Sequence, residues 1–393
     1  MTATQITLEQ ARQAWVTEQR LAGEPARVRS LADAVGDIGW IPLPTPVTAY
    51  LALFARGLIE RRVDLDSKLG ELVVVPGPKG SSWLVPLTDA PTARAFAVAD
   101  HASREARVAA TTTLPTRDLE SARELLKLTL TQPATLDEIR AKLPDWAMRS
   151  LGAAGRKAGM PTLASLVLRS MWVNGEIHRV ARDRRLDAGV VTWMMDPRPR
   201  VVPSAAEAIA AIAPRWIAAH GPVTARAFAN AFGTPAGRAM PAIRAAQPAE
   251  ITIEGHDEVF LARTNFMPSE SAPMPVRLLP ARDPLTEVHL PLLATPDGAR
   301  AATTRAGFAS PAILLNGQIV GTWSYDSALG EIHGAPLERP FDAVETAAIA
   351  AEARRLVAFV RSELASLPLH GSATNAPRAR SAASAATELV VEL

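Results

Sequence analysis

The sequence of 393 residues predicts a fold that is mainly α with β-wings, an α+β class, and two observations support this. A segment occurs twice, at 131–143 and 220–232, and in each copy a Pro stops one helix and a Thr two residues later can cap the next. Each copy also lies between helical stretches and is followed by a β-like run. Helix, capped helix, helix and hairpin is the order of a winged helix, so we predict tandem winged-helix domains followed by a C-terminal β-rich module.

Residues 1–112 are predicted to form a first, degenerate winged-helix domain. Thr7 can cap its first helix, at 7–21, which places apolar side chains on one face. A β-hairpin is predicted over 72–86, where two apolar runs flank a turn at 77–80 that is rich in Gly and Pro. The remaining helices of this domain are predicted at 29–38, 47–61 and 66–71.

Residues 113–200 and 201–268 predict a second and a third winged-helix domain. Thr135 and Glu138 have the spacing of a capping box in the second, and Thr224 is the predicted cap in the third. The predicted helices are 118–130, 136–143 and 163–174, then 205–219, 225–232 and 235–246. The predicted wings pair 176–181 with 190–195 and 250–254 with 258–262.

Residues 269–368 predict a β-rich module that ends in a helix. Asn316-Gly317 between two apolar runs is a strong hairpin signal. The tail at 369–393, rich in Ala, Ser and Arg, has little to bury and is predicted to be disordered up to Leu389-Val390-Val391. Strands are predicted at 276–280, 312–323 and 331–337, followed by a long helix at 342–364.

Composition narrows the classes of function. The chain has no cysteine, which excludes disulfides, thiolate metal sites and a cysteine nucleophile. Its seven histidines lack metal-ligand spacing and no glycine-rich phosphate loop is present, so we expect no metal and no cofactor. No apolar run approaches the roughly 18 residues of a membrane span, and the N-terminus lacks the signal-peptide pattern. We therefore predict a cytoplasmic protein without membrane contact, and its Ala-, Arg- and Pro-rich composition is typical of GC-rich bacteria.

A winged helix indicates double-stranded DNA as the partner. Its third helix enters the major groove and its wing contacts the backbone, where cationic side chains supply most of the affinity. The net charge of only +2 means that such binding depends on local patches. The wing of the second domain is rich in Arg, although Asp183 and Asp187 dilute its charge. The predicted DNA contacts are Lys79, Arg149, Arg156, Lys157, Arg169, Arg182, Arg184, Arg185, Arg226, Arg238, Arg244 and Arg282.

Two C-terminal motifs carry a family resemblance. One is the run RLLPARDP at 277–284, and the other is SPAILLNGQIVGTW at 310–323. They resemble the LLPAFDP strand and the SPTVLVDGRVVGTW hairpin of the AlkZ/YcaQ-type winged-helix DNA glycosylases. The third winged helix and Gln10-Ala11-Arg12 are also similar, so the resemblance covers most of 8–366. It implies a tandem winged-helix fold and a link to DNA repair.

The resemblance also implies where the family's chemistry would lie. A Gln-x-Gln or Gln-x-Asp pair that positions water against the sugar aligns with Gly39 and Ile41. The histidine of the family's RGTLHLVP hairpin aligns with Trp83, and the arginine aligns with Lys79. Because Gly and Ile side chains can neither hold nor deprotonate water, no catalytic residue is predicted, and Asp37 is only a weak substitute candidate.

Three hypotheses follow from these observations. The first is a non-catalytic protein that binds duplex DNA, including bent or damaged duplex. The second is a DNA glycosylase with altered catalytic residues that removes alkylated bases. The third is a winged-helix array that binds a protein or a small ligand. Binding to duplex DNA separates the third from the others, and excision of alkylated bases separates the first two.

Overall fold

The computed structural model describes residues 4–23, 28–188, 190–198, 201–268, 273–327, 329–364 and, for the backbone alone, 389–391. The side chain of Arg182 lies outside this description. The chain divides into two compact units. Unit one comprises residues 1–68 and 212–393, and unit two comprises residues 69–211.

The first segment of unit one is built from short elements. Thr7 caps the first helix through a capping box with Gln10, which confirms the predicted start. The elements are β1 (Thr4–Ile6), α1 (Leu8–Glu18), α2 (Leu31–Asp37), β2 (Ile41–Pro42), α3 (Val47–Ala55) and α4 (Arg62–Asp66).

Two predicted helices of this segment differ from the structure. Helix α3 ends at Ala55 instead of continuing to 61, because Gly57 adopts a left-handed conformation with φ +64°. The helix predicted at 66–71 is wrong, and α4 lies just upstream of it. The Asp64 carboxylate accepts the backbone N–H of Arg61 at 2.8 Å, which starts the helix earlier.

Unit two contains two small antiparallel sheets among five helices in the residues that the structure describes. Strand Leu72–Pro76 pairs with Ser82–Pro86 and confirms the predicted hairpin. Its elements are β3 (Leu72–Pro76), β4 (Ser82–Pro86), α5 (Ala90–Ala109), α6 (Thr116–Thr129), β5 (Ala134–Thr135), α7 (Leu136–Lys142), α8 (Gly152–Lys157), α9 (Leu163–Val173), β6 (Ile177–Ala181) and β7 (Val191–Met195). Strand β7 pairs with both β5 and β6, and the predicted capping box of Thr135 and Glu138 starts α7.

The chain then returns to unit one. Thr224 caps its second helix there, as predicted. The elements are α10 (Ala205–His220), α11 (Ala225–Phe232), α12 (Ala236–Ala245), β8 (Ala249–Ile253), β9 (Val259–Ala262), β10 (Arg277–Leu279), α13 (Pro284–Leu293), α14 (Pro296–Ala301), β11 (Ala312–Leu315), β12 (Gln318–Asp326), β13 (Glu331–Pro336), α15 (Ala343–Glu363) and β14 (Leu389–Val391).

Two sheets organise this part of unit one. Strand β1 pairs in parallel with β8, which also pairs with β9, and the larger sheet has the order β10-β11-β12-β13-β14. Asn316 (φ +48°) and Gly317 (φ +74°) form the predicted turn between β11 and β12, because both positions are left-handed. Strand β14 contains the apolar residues at the end of the tail, and the predicted disorder of the rest of 369–393 lies outside the described residues.

The fold class is a mixed α+β fold with small sheets, as the sequence predicts. Each unit has its own buried core. Trp15, Ile251 and Leu285 belong to one core, and Leu126 and Trp172 belong to the other. Among the described helices, none is both long enough and apolar enough to cross a membrane.

Candidate functional site

The turn after α2 in unit one is the first candidate site, because it contains both positions that align with a catalytic pair. Trp40 N–H donates to Val35 O at 3.0 Å and closes the helix. Gly39 (φ +84°) and Trp40 (φ +73°) are both left-handed, a rare conformation for a tryptophan. The Trp40 ring is fully buried, with its edge toward Phe232 and ring centroids 6.0 Å apart, so packing holds the turn in this shape.

Gly39 has no room for a side chain. A Cβ atom added to Gly39 would lie 2.6 Å from His220 Nε2 and 3.3 Å from Trp216 Cδ1. Its φ of +84° independently disfavours any L-residue. Position 39 therefore offers neither a group that could bind water nor the space for one.

The neighbouring positions contribute little more. The Ile41 side chain is fully buried and has no polar atom. Asp37 is two residues before Gly39, with 53% of its side chain exposed, and its Oδ2 accepts a hydrogen bond from Arg20 Nη2 at 2.7 Å. An accessible carboxylate therefore exists beside the turn, but a surface ion pair occupies it.

Two histidines of unit one are buried and close together. His220 and His289 are 1% and 2% exposed, with ring centroids 5.9 Å apart. His289 stacks on Trp15 at 4.3 Å, while His220 packs against Trp216 at 4.6 Å. Burial, with a smaller contribution from the Arg56 charge, lowers the pKa of His220 to about 3. Burial also lowers the pKa of His289 well below its usual value, so both imidazoles are neutral near pH 7.

Each of these histidines has one ring nitrogen without a hydrogen-bond partner among the described residues. These atoms are His220 Nδ1 and His289 Nε2. No group of three or more His, Asp and Glu side chains is arranged to hold a metal in the described part of the chain. The two residues are 69 positions apart in the sequence, so their spacing gave no signal of this contact.

A buried ion pair supports the same region of unit one. Arg56 Nη1 and Nη2 donate to Asp283 at 2.7 and 2.9 Å, and neither side chain is exposed. Asp283 also accepts the N–H of Leu285 and thereby caps α13. The aspartate of the RLLPARDP motif thus has a structural contact, with Arg56 as a partner that the sequence reasoning missed.

Gln19 connects this ion pair to the turn. Gln19 Nε2 donates to Ile38 O at 3.1 Å and to Ala219 O at 2.9 Å. These carbonyls belong to the residues directly before Gly39 and His220. The buried amide of Gln19 therefore hydrogen-bonds both backbone segments, the one that leads to Gly39 and the one that leads to His220.

The hairpin of β3 and β4 in unit two is the second candidate site. Trp83, which aligns with the family's histidine, is half-buried and its Nε1 donates to Pro78 O at 3.2 Å and to Ser81 Oγ at 3.1 Å. A Cβ atom on Gly77 would lie 2.6 Å from Trp83 Cδ1, so the indole packs over its own turn. An indole has no acid–base group near neutral pH, and its single donor is already engaged.

Most of the chain resembles a known family. A family model described as "DNA glycosylase AlkZ-like" matches residues 35–359, which include both candidate sites. The chain belongs to the AlkZ-like DNA glycosylase family. The DNA glycosylase AlkZ of Streptomyces sahachiroi has a similar solved structure, with a TM-score of 0.69 and 18% identity over 92% of this chain and 98% of that one. No curated protein matches the chain.

The C-terminal motifs therefore led to the correct family. In this AlkZ-like protein, seven of the predicted DNA contacts whose side chains the structure describes are exposed. Helix α12 carries two of them and has no acidic residue, so its charge is uncompensated within the helix. The exposed contacts are Lys79, Arg156, Lys157 and Arg184 in unit two and Arg226, Arg238 and Arg244 in unit one.

Several of the arginines predicted to contact DNA form ion pairs with carboxylates. Arg149 donates to Asp118 at 2.8 Å, and Arg185 makes a two-pronged contact with Asp187 at 2.8 and 3.0 Å. Such pairing reduces the charge that these arginines present to a phosphate. Arg226 is likewise paired with a carboxylate, that of Glu258.

Arg282 is the one predicted contact that the structure buries within unit one. It is 7% exposed, its Nε lies 3.4 Å from Glu287, and its guanidinium stacks 4.3 Å from the Phe308 ring. This environment gives Arg282 a packing role within unit one.

Proposed function

We propose that this AlkZ-like protein binds duplex DNA, including bent or damaged duplex, without the base-excision chemistry of its family. One observation carries the proposal: the space of a side chain at Gly39 is filled by His220. A glycosylase needs a polar group that positions water against the sugar, and the buried Ile41 does not provide one. Trp83, with its donor bonded within its own hairpin, supports the same conclusion at the second site.

The binding part of the proposal is supported by the distribution of cations. Helix α12 follows a Thr-capped helix and precedes the hairpin β8–β9, the element order of a winged helix. Its exposed Arg238 and Arg244 have the character expected of a helix that contacts DNA. In unit two, Arg156, Lys157 and Arg184 provide a similar exposed charge.

Excision from alkylated duplex DNA tests the loss of chemistry. The protein is incubated with duplex containing alkylated purines, and abasic sites are counted after strand cleavage by alkali. We expect no sites above those of the DNA alone, with a glycosylase active on the same substrate as the positive control. Excision that is abolished by a single substitution in this chain would contradict the proposal.

A second candidate function is a glycosylase that uses Asp37. The observation that favours it is the half-exposed carboxylate two residues before Gly39. Asp37→Asn keeps the shape and removes the charge, so this hypothesis requires excision by the natural protein and its loss in the variant. Arg20→Gln is the matched control, because it frees the same carboxylate from its ion pair.

Binding to undamaged duplex tests the partner class. Fluorescence anisotropy at about 50 and 200 mM salt should give tighter binding at the lower concentration, because phosphate contacts release counterions. The triple variant Arg182→Ala, Arg184→Ala and Arg185→Ala is expected to flatten this dependence. Absence of binding at both concentrations would leave the third hypothesis, a protein- or ligand-binding array.

A further inference from the structure

Three arginines from different elements of unit two donate hydrogen bonds to the turn at 79–82. They are Arg104 on α5, Arg169 on α9 and Arg179 on β6. The turn itself adds the exposed Lys79. Four cations therefore meet at one hairpin turn, and Lys79 and Arg169 are among the DNA contacts predicted from the sequence.

Gly80 allows two of the surrounding groups to approach closely. Arg169 Nη2 donates to Gly80 O at 2.7 Å. A Cβ atom on Gly80 would collide with the Asp100 carboxylate and lie 3.0 Å from Arg169 Nη2, and the φ of Gly80 is +66°. The turn is thus shaped so that charged groups pack directly against its backbone.

Arg179 is held rigidly at the other end of the turn. Its guanidinium lies 4.2 Å from the centroid of Trp172 and 5.0 Å from that of Trp193, and Nη1 donates to Ser82 Oγ at 3.2 Å. Two indole rings fix the plane of the guanidinium, which is the arrangement that favours geometric recognition of an oxyanion. Its Nε has no hydrogen-bond partner among the described residues.

Not every arginine at this turn has a carboxylate partner among the described residues. Asp100 accepts from Arg104 Nε at 2.7 Å, whereas Arg169 and Arg179 form no ion pair in the part of the chain that the structure describes. Burial, followed by the charge of Arg169, lowers the pKa of Arg179 to about 10. The pKa of Arg169 is lowered by burial and then by the charge of Arg104. Burial is the larger cause of both shifts and a neighbouring arginine is the second, whereas the Asp100 charge acts to raise the pKa of Arg169. An anion added near these arginines would stabilise their charged form.

We infer that the turn at 79–82, with Arg169 and Arg179, binds a phosphate group of the DNA backbone, an inference that rests on the DNA binding proposed above. Guanidinium groups match the oxygens of a phosphodiester, and the hydroxyl of Ser82 adds a donor between the fixed arginine and the turn. The alternative is that the arginines only brace the hairpin. If the arginines only brace the hairpin, Ser82→Asp should leave the affinity for DNA unchanged, and any effect should be confined to the stability of the fold.

Ser82→Asp and Ser82→Asn form a matched pair that tests the inference in the full chain. Asp supplies the missing carboxylate to Arg179, while Asn has the same shape without charge. With a labelled duplex in anisotropy measurements, we expect Ser82→Asp to weaken binding about 3- to 10-fold at about 50 mM salt. The slope of log K against log salt should fall by about 1, which corresponds to one lost phosphate contact. Ser82→Asn should stay within about twofold of the natural protein in affinity.

Arg169→Gln gives the second measurement, with the same direction expected, and circular dichroism verifies that each variant folds. If both charge-changing variants bind DNA with unchanged affinity and slope, the phosphate site is wrong while the proposed DNA binding stands.

If the natural protein does not bind duplex, the proposed function fails and inorganic phosphate becomes the probe. An increase in melting temperature with phosphate, compared with chloride at equal ionic strength, should then occur in the natural protein and not in Ser82→Asp. An equal increase in both, or none in either, would reject the site.

Discussion

Two turns align with the catalytic motifs of the family, one in each unit, and their surroundings differ. The turn of unit one is closed by packing, with Gly39 against His220 and a buried Ile41. The hairpin turn of unit two is half-exposed and has Arg169 and Arg179 directed at its polar atoms. A neutral buried site excludes polar ligands, whereas a cationic one attracts anions. The contrast supports the proposal that this chain binds DNA at the second turn without base-excision chemistry at the first.

The largest expected effect comes from breaking the buried ion pair of unit one. Arg56→Met leaves the carboxylate of Asp283 buried without a cation, which should lower the free energy of unfolding by about 3–5 kcal/mol. Urea denaturation followed by circular dichroism measures this loss. Arg300→Met removes a surface pair with Asp297 and should cost at most about 1 kcal/mol. Equal losses in the two variants would mean that the buried pair contributes no more to stability than a surface pair.

Filling the space at Gly39 should have the next largest effect. Gly39→Ala places a Cβ atom 2.6 Å from His220 Nε2, and overpacking of this kind costs about 1–3 kcal/mol beyond the backbone strain. Gly255→Ala is the matched control, since Gly255 has a similar φ of +79° and no atom within 4 Å of its added Cβ. The difference in unfolding free energy between these variants isolates the contact with His220.

A double variant sharpens this test. His220→Ala removes the atom that the new methyl group meets, so Gly39→Ala should cost less in that background than alone. Additive losses would show that the backbone conformation, and not His220, excludes a side chain at position 39.

The buried histidines should make both units sensitive to acid. The pKa of His220 is lowered to about 3 and that of His101 in unit two to about 4, in each case mainly by burial. Below about pH 6.5 the unfolded chain binds protons that the folded chain does not, so stability falls as the pH falls through this window. One such group contributes up to about 1.4 kcal/mol per pH unit, until the folded pKa is reached.

His220→Gln should remove its share of this slope, measured as unfolding free energy between pH 7 and about 4.5. Phe228→Leu is the control, because it disturbs the same buried core without a titratable group and should lower stability equally at each pH. If His220→Gln and the natural protein lose stability in parallel, the imidazole is not the acid-sensitive group of unit one.

The predictable parts of the fold depend on local signals. Thr7, Thr135 and Thr224 were identified as caps because capping joins a side chain to a backbone group three residues away. The turn at Asn316-Gly317 was predictable for the same reason, since the required backbone conformation restricts the residue type.

The unpredicted parts depend on distant partners or lack large apolar residues. No element was predicted for α5, because alanine fills half of its buried positions and gives little periodic signal. The parallel pairing of Thr4 with Ile251 and the ion pair of Arg56 with Asp283 each join residues more than 200 positions apart in the chain. At the candidate site, the resemblance pointed to Gly39, while only the fold reveals that His220 occupies the space beside it.

The smallest expected effect concerns helix α12, which tests whether exposed cations of unit one bind DNA as those of unit two are proposed to do. Arg238→Gln and Arg244→Gln should each weaken duplex binding only a few-fold and reduce the salt slope by about 1. Arg300→Gln is the control, because that arginine is also exposed but pairs with Asp297 on α14. Anisotropy titrations at several salt concentrations measure both quantities. If neither α12 variant changes the slope while Ser82→Asp does, DNA binding belongs to the cationic hairpin of unit two and not to this helix.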